Sequence, residues 1–185
     1  FTCWGRTYSF GGPGLLSSIK SQDMEMLAGP IQLKINGVPV PAMSCKTMSS
    51  GETGARFNVE TKTESLKISA DIKAEFDGFV WVNLACSPLT EKGAPIQSMT
   101  LEIPLKREHT NYFDDCQSIR DKTDLAGNKD KTIFRNLMKM PACWLGGDEI
   151  GLMLGMESLR GWRVKNKAQS MEVVPGAGEV TLRLN

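Results

Sequence analysis

A chain of 185 residues with 41% hydrophobic and 23% charged residues has the size and balance of a globular domain with a sizeable core. Its formal net charge of +1 offers no basic field to hold a nucleic-acid backbone. It contains no run of about 18 apolar residues to form a membrane-spanning helix, and no leader peptide is visible. Both ends, FTCWGRTYSF and VTLRLN, are strand-like and read as cut from a longer protein. The expectation is one excised domain over residues 1–185.

In chain order, strand patterns dominate. GGPG at 11–14 reads as a turn, and residues 18–27 have room for a helical turn or two. IQLKI at 31–35 alternates apolar and polar and runs into Asn36-Gly37, the strongest short hairpin signal. Its partner strand is expected at 38–43, with Pro39 and Pro41 pushing it to an edge. Alternation returns at 56–61, again at 66–74, and after Asp77-Gly78 at 79–85. Further strands are expected at 99–103, 142–145, 150–154, 171–174 and 180–184. Residues 112–131, YFDDCQSIRDKTDLAGNKDK, are polar and rich in turn formers and read as one long loop. Strands at this pace, each with one apolar face, predict an all-β fold: an antiparallel β-sandwich of the galactose-mutarotase-like or jelly-roll-like two-sheet kind.

The chemistry-bearing residues are few. Asp148–Glu149 has the composition of a glycosidase acid pair, but two such carboxylates must converge on one bond, about 5 Å or about 6.5–9.5 Å apart. Neighbouring strand residues point to opposite faces, and GGDE at 146–149 reads as a hairpin turn with solvated carboxylates. Trp4, Trp81, Trp144 and Trp162 are either a sugar-stacking platform or core filling. Trp81, inside an alternating strand, is expected in the core; Trp162 is expected to be more open. Glu157 with Arg160 or Arg163 reads as a polar ligand contact or a surface ion pair. His109 has no Ser or Cys partner motif, and neither GxSxG nor a glycine-rich phosphate loop occurs. Cys3, Cys45, Cys86, Cys116 and Cys143 are odd in number and lack a CxxC spacing. Most of them read as small buried hydrophobes, with a disulfide left open. Asp114, Asp115, Asp121 and Asp124 supply oxygen ligands without the fixed spacing of a calcium loop. No catalytic set, metal site or cofactor site emerges from the residues alone.

Several stretches, taken in order, resemble one family. They are CWGRTYSF (3–10), LLSSIKS (15–21), LAGPI (27–31), EFDGF (75–79), LEIPLK (101–106), WLGGDEIGL (144–152), MES (156–158) and GW (161–162). Together they are similar to the opening, N-terminal β-sandwich of bacterial glycoside-hydrolase-like proteins related to glycoside hydrolase family 123. The matches cover most of the chain outside 112–131. The resemblance implies a sandwich ahead of a C-terminal catalytic (β/α)8 barrel that carries the acid pair, so no catalytic residue is carried over. It implies an extracytoplasmic, secreted or periplasmic, location. It also implies a carbohydrate-binding or domain-interface role for Trp144, Glu157, Arg160 and Trp162. Leu154-Gly155 stands where the family pattern leads one to expect an aromatic-alanine pair before the Glu.

The reading that follows is a non-catalytic domain packed beside its own barrel, shaping a carbohydrate site. An independent carbohydrate-binding module and a structural or adhesion domain are the alternatives. A domain that docks on a barrel should expose an apolar patch when isolated.

Overall fold

The computed structural model of the protein describes residues 1–91, 93, 95–116, 123–127 and 131–185. Strands hold 56% of the described residues against 3% that are helical, the latter in two 3-10 turns, Arg107–His109 and Lys167–Gln169. The fold is therefore all-β, its sheets are antiparallel, and it is consistent with a β-sandwich. The chain forms two compact units: Phe1–Glu25 with Gly29–Thr100, and Met26–Ala28 with Leu101–Asn185.

In the first unit, β1 (Thr2–Cys3), β2 (Arg6–Phe10), β3 (Leu16–Ser21) and β4 (Met24–Glu25) form one sheet in that order. A hairpin of β5 (Gln32–Ile35) and β6 (Val38–Pro39) follows. A second sheet is built from β7 (Ser44–Gly51), β8 (Gly54–Lys62), β9 (Leu66–Glu75) and β10 (Val80–Pro88), each strand pairing with its sequence neighbour. Alternation decides which face is buried. Along β9, Leu66, Ile68, Ala70, Ile72 and Ala74 point inward and are buried, while Lys67, Asp71 and Lys73 point out. The first sheet lies over that inner face: the rings of Phe10 and Phe57 are 4.6 Å apart, and the Tyr8 hydroxyl donates to the Gly78 carbonyl at 2.8 Å.

Three hairpins in this unit turn on two residues with positive φ: Trp4-Gly5 (43° and 72°), Gln22-Asp23 (49° and 69°) and Asn36-Gly37 (52° and 79°). This is the left-handed pair that a type I′ turn needs to match strand twist. The middle one corrects the helical expectation for residues 18–27, which are β3, a tight turn and β4. The strand expected at 38–43 is shorter: only Val38–Pro39 pairs with β5, and Met43 bridges to Gly12 instead. The Pro39 and Pro41 nitrogens have no proton to extend the ladder. Trp81 is half-buried, not in the core. It lies on the outward face of β10, opposite Lys73, with its ring centroid 5.0 Å from that of Phe79.

The second unit contains β11 (Met99–Lys106), β12 (Tyr112–Asp114), β13 (Thr123–Asp124), β14 (Ile133–Arg135), β15 (Ala142–Gly146), β16 (Gly151–Gly155), β17 (Met171–Pro175) and β18 (Glu179–Leu184). β14, β17, β18 and β11 are neighbours in one sheet; β13, β12, β15 and β16 form another. Buried side chains include Ile103 and Leu105 of β11, Phe113 of β12, Cys143 and Leu145 of β15, and Val173, Val180 and Leu182 of the β17–β18 hairpin. Within the stretch read as a loop, Tyr112–Asp114 and Thr123–Asp124 pair as strands, because Phe113 and Leu125 are apolar enough to bury. Residues 117–122 and 128–130 of that stretch lie outside the described residues.

All five cysteines are free thiols. Cys45 and Cys116 are exposed, whereas Cys143 is buried on β15. Burial pushes the Cys143 thiol up to about 12, and Cys116 and Asp115 add to the shift. The native chain thus keeps a proton that the unfolded chain loses. Its stabilising contribution is complete below the ordinary value of 9.0 and is lost as pH rises toward about 12. Above pH 9 the wild type is expected to lose stability faster than Cys143→Ala, by about 1.4 kcal/mol per pH unit. Urea titrations at pH 8, 9 and 10 measure the difference; parallel curves would remove Cys143 as the cause. Iodoacetamide on the native chain is expected to label Cys45 and Cys116 and spare Cys143.

Candidate functional site

Trp144 lies on the outward face of β15, opposite Met153 of β16 and Asp114 of β12. Its seat is made by glycines. A Cβ on Gly151 would fall 2.5 Å from the indole Nε1, and one on Gly146 would fall 2.5 Å from Cζ2. The indole therefore lies flat across the end of the β15–β16 hairpin, in space that only Gly146 and Gly151 leave open. The glycines of WLGGDEIGL are spaced for this purpose: Gly146↔Gly151 is the next cross-strand pair on the same face after Trp144↔Met153, with Leu145↔Leu152 between them on the other face.

The hairpin expected around Asp148–Glu149 is present. Gly147 donates its N–H to the Ile150 carbonyl at 2.9 Å, and both carboxylates are exposed in the turn. No hydrogen bond or ion pair among the described residues orients either acid toward a common point, as the two carboxylates of a glycosidase must be.

Trp162 is half-buried and tied to the end of the unit. Its indole Nε1 donates to the Asn185 carbonyl at 2.9 Å, and its backbone follows Gly161 at φ +86°. The Asn185 amide in turn donates to Glu172 at 2.8 Å and to the Gln169 carbonyl at 3.2 Å. This is a positioned ring with its polar edge satisfied. Glu157 and Arg160 are exposed. Among the described residues, no ion pair joins Glu157 to Arg160 or Arg163; the Arg160 N–H is held locally by the Ser158 hydroxyl at 3.1 Å. Trp144 and Trp162 thus sit on different elements, each with its own support, and no described contact links them to Glu157 or Arg160.

The other candidates resolve into local roles. His109 lies in a 3-10 turn, 3.5 Å from the Glu108 carboxylate. Asp114 accepts from the Cys116 N–H, and Asp124 from the N–H groups of Ala126 and Gly127. Asp115 is bound to Arg135 at 2.5 Å. Asp121 lies outside the described residues. Arg183 reaches across the sheet to Glu102 at 3.0 Å and to Glu172 at 2.9 Å. It ties three adjacent strands together and has a structural role.

Sequence reasoning missed the apolar margin of the first unit. Inside β9 the core residue Ile72 is 0% exposed, yet its cross-strand partner Val82, on the same face of the sheet, is 39% exposed. Val80, Leu84 and Cys86, also on that face of β10, are only partly buried. The first sheet covers β8 and β9 more fully than β10. At the same end of the unit, Trp4 is 75% exposed and packs edge-on against Phe76, 48% exposed, at 5.7 Å. Arg6 ties the two turns together by donating from Nη1 to the Asp77 carbonyl at 3.0 Å. A tryptophan in a left-handed turn position is uncommon, since asparagine and glycine adopt it at lower cost. The signal was present in CWGRTYSF and EFDGF, two motifs 65 or more residues apart that the fold brings into contact.

No helix among the described residues is long and apolar enough to cross a membrane. A search of curated proteins and of solved structures returned no match. A family model described as glycoside hydrolase 123, third domain, matches residues 1–166. That span takes in every motif on which the resemblance rested. The description numbers the domain third, where the resemblance had implied an N-terminal one; the family is the same. The chain accordingly belongs to the glycoside hydrolase 123 family, as a β-rich domain matching the third domain of its proteins.

Proposed function

We propose that this domain is a non-catalytic accessory sandwich that packs beside the catalytic barrel of its parent glycoside hydrolase and helps to shape a carbohydrate site. The observation that carries the reading is the bare margin formed by Trp4, Phe76, Val82 and the other inward residues of β10. Exposed apolar side chains are unfavourable in water, and where they gather they mark a contact surface. A neighbouring domain of the same chain is the partner that family membership supplies.

The test compares this 185-residue chain with the parent chain. Phe76→Asp and Val82→Lys are expected to leave the thermal midpoint of the short chain within a few degrees, as surface changes do. In the parent they should split one unfolding transition into two. An unchanged single transition in the parent would sink the docking reading. Aryl glycosides, including N-acetylgalactosaminides, should be cleaved by the parent alone; cleavage by the short chain would redirect attention to Asp148, Glu149 and Glu157.

A sugar-binding role has one supporting observation, the glycine seat of Trp144, which holds an aromatic ring flat as stacking on a pyranose requires. On this reading Trp144 contributes the stacking surface, and Glu157, Arg160 and Trp162 belong to the carbohydrate or domain interface.

A further inference from the structure

The two edges of the second sheet of the first unit differ in kind. β7, at one edge, carries Lys46, is mostly polar apart from Cys45 and Met48, is exposed throughout, and is broken by a bulge between Thr47 and Ser49. Charge and bulges are the usual means of preventing another strand from adding to an edge. β10, at the opposite edge, has neither charge nor bulge, and its one protecting residue, Pro88, stands at its last position and leaves Val80–Cys86 open. Its sequence, VWVNLACSP, contains no charged residue, and its register with β9 runs unbroken from Val80 to Pro88.

The hydrogen-bonding parity of β10 follows from its ends. Glu75 donates to the Phe79 carbonyl and Leu89 to the Ser65 carbonyl, both at 2.8 Å. Bonded pairs alternate along an antiparallel ladder. Trp81, Asn83, Ala85 and Ser87 therefore bond to β9, while Val80, Val82, Leu84 and Cys86 aim their N–H and C=O groups away from the sheet. Among the described residues, these outward groups have no partner. The same four residues carry the under-covered side chains of the apolar margin. One strand laid beside β10 would satisfy the backbone groups, and its own inward side chains would continue the cover.

We infer that β10 is an acceptor edge: an extended segment from another domain of the parent chain adds to it as a further strand. The inference rests on the accessory-domain reading and specifies the contact as backbone pairing, not face packing alone. The added segment should alternate, with apolar residues toward the Val80, Val82, Leu84 and Cys86 side. Unpaired edges of this length are used for strand addition in protein recognition.

Hydrogen–deuterium exchange of the β10 amides tests it, in this chain and in the parent. The outward amides of Val82, Leu84 and Cys86 should exchange about 100-fold or more slowly in the parent than in the short chain, as amides in a closed ladder do. The amides of Trp81, Asn83 and Ala85 should be protected in both. Equal exchange of the outward amides in the two chains would overturn the inference. Leu84→Pro supplies a second readout, because it deletes one outward N–H while proline is tolerated at such edge positions. It should split the unfolding of the parent and leave the short chain folded; should the short chain unfold, the exchange result decides alone. If Val82→Lys splits the parent's transition while outward exchange is unchanged, docking stands and strand addition falls. If neither substitution nor exchange distinguishes the chains, both readings fall.

Discussion

Phe113→Ala is expected to destabilise the chain by about 3–5 kcal/mol, the range for removing a fully buried aromatic ring. The ring is buried, on the residue paired with Leu145, with the Arg135 guanidinium 5.5 Å from its centroid. Asp115 fixes that guanidinium at 2.5 Å. Deleting the ring leaves a cavity and removes the aromatic face over which the cation sits, a contact worth roughly 0.5–1 kcal/mol where partly exposed. Phe113→Leu keeps most of the volume and should cost less than half as much. Urea denaturation of the two variants measures the difference. A loss below about 1 kcal/mol for Phe113→Ala would mean that β12 is not part of the cooperative core.

Gly151→Ala is expected to cost about 1–3 kcal/mol by overpacking, although alanine is a mild change elsewhere in a strand. The added methyl would stand 2.5 Å from Nε1 of Trp144 and 2.7 Å from Cε2 and Cζ2, so the indole must leave its seat. Tryptophan emission should shift as the ring moves. The discriminating experiment is a double-mutant cycle. In a Trp144→Ala background the same Gly151→Ala change should cost less, by about 1 kcal/mol or more, because contacting residues do not add independently. Strict additivity would show that the glycine serves the backbone and not the ring. If the Gly151→Ala variant of the parent also loses carbohydrate binding, the flat seat itself is the functional feature.

Local alternation was legible where each strand had one wet and one dry face. Residues 66–74 and 180–184 read directly as strands because Lys67, Lys73 and Arg183 alternate with buried Ile68, Ile72 and Leu182. Asn36-Gly37 announced its hairpin because both residues accept positive φ at low cost. Trp4-Gly5 and Gln22-Asp23 make the same turn with a residue less suited to positive φ in first place, and the second lies inside residues 18–27, where a helical turn or two was expected. β7 went unread because SCKTMSSG is exposed on both faces and has no periodicity.

The candidate site divides in the same way. The hairpin nature of GGDE follows from local spacing. The glycine seat under Trp144 does not, since it depends on which residue of β16 lies beside Gly146. Trp81 looked like core because strand alternation says only that a side chain has a face, not whether anything covers it. The bare margin of β10 is invisible for that reason: Val82 and Ile72 are equally apolar, and only one of them is covered by the first sheet.

By itself, then, the sequence determined the all-β class, most of the long strands, the Asn-Gly and Gly-Gly-Asp-Glu turns, and the family, because these rest on patterns within a few consecutive residues or on ordered motifs. Tertiary structure decided which sheet face stays uncovered, which edge is protected, how CWGRTYSF meets EFDGF, and where Trp144 lies. Those outcomes depend on residues far apart in the chain, and no local pattern records which surfaces a folded domain leaves for something else to cover.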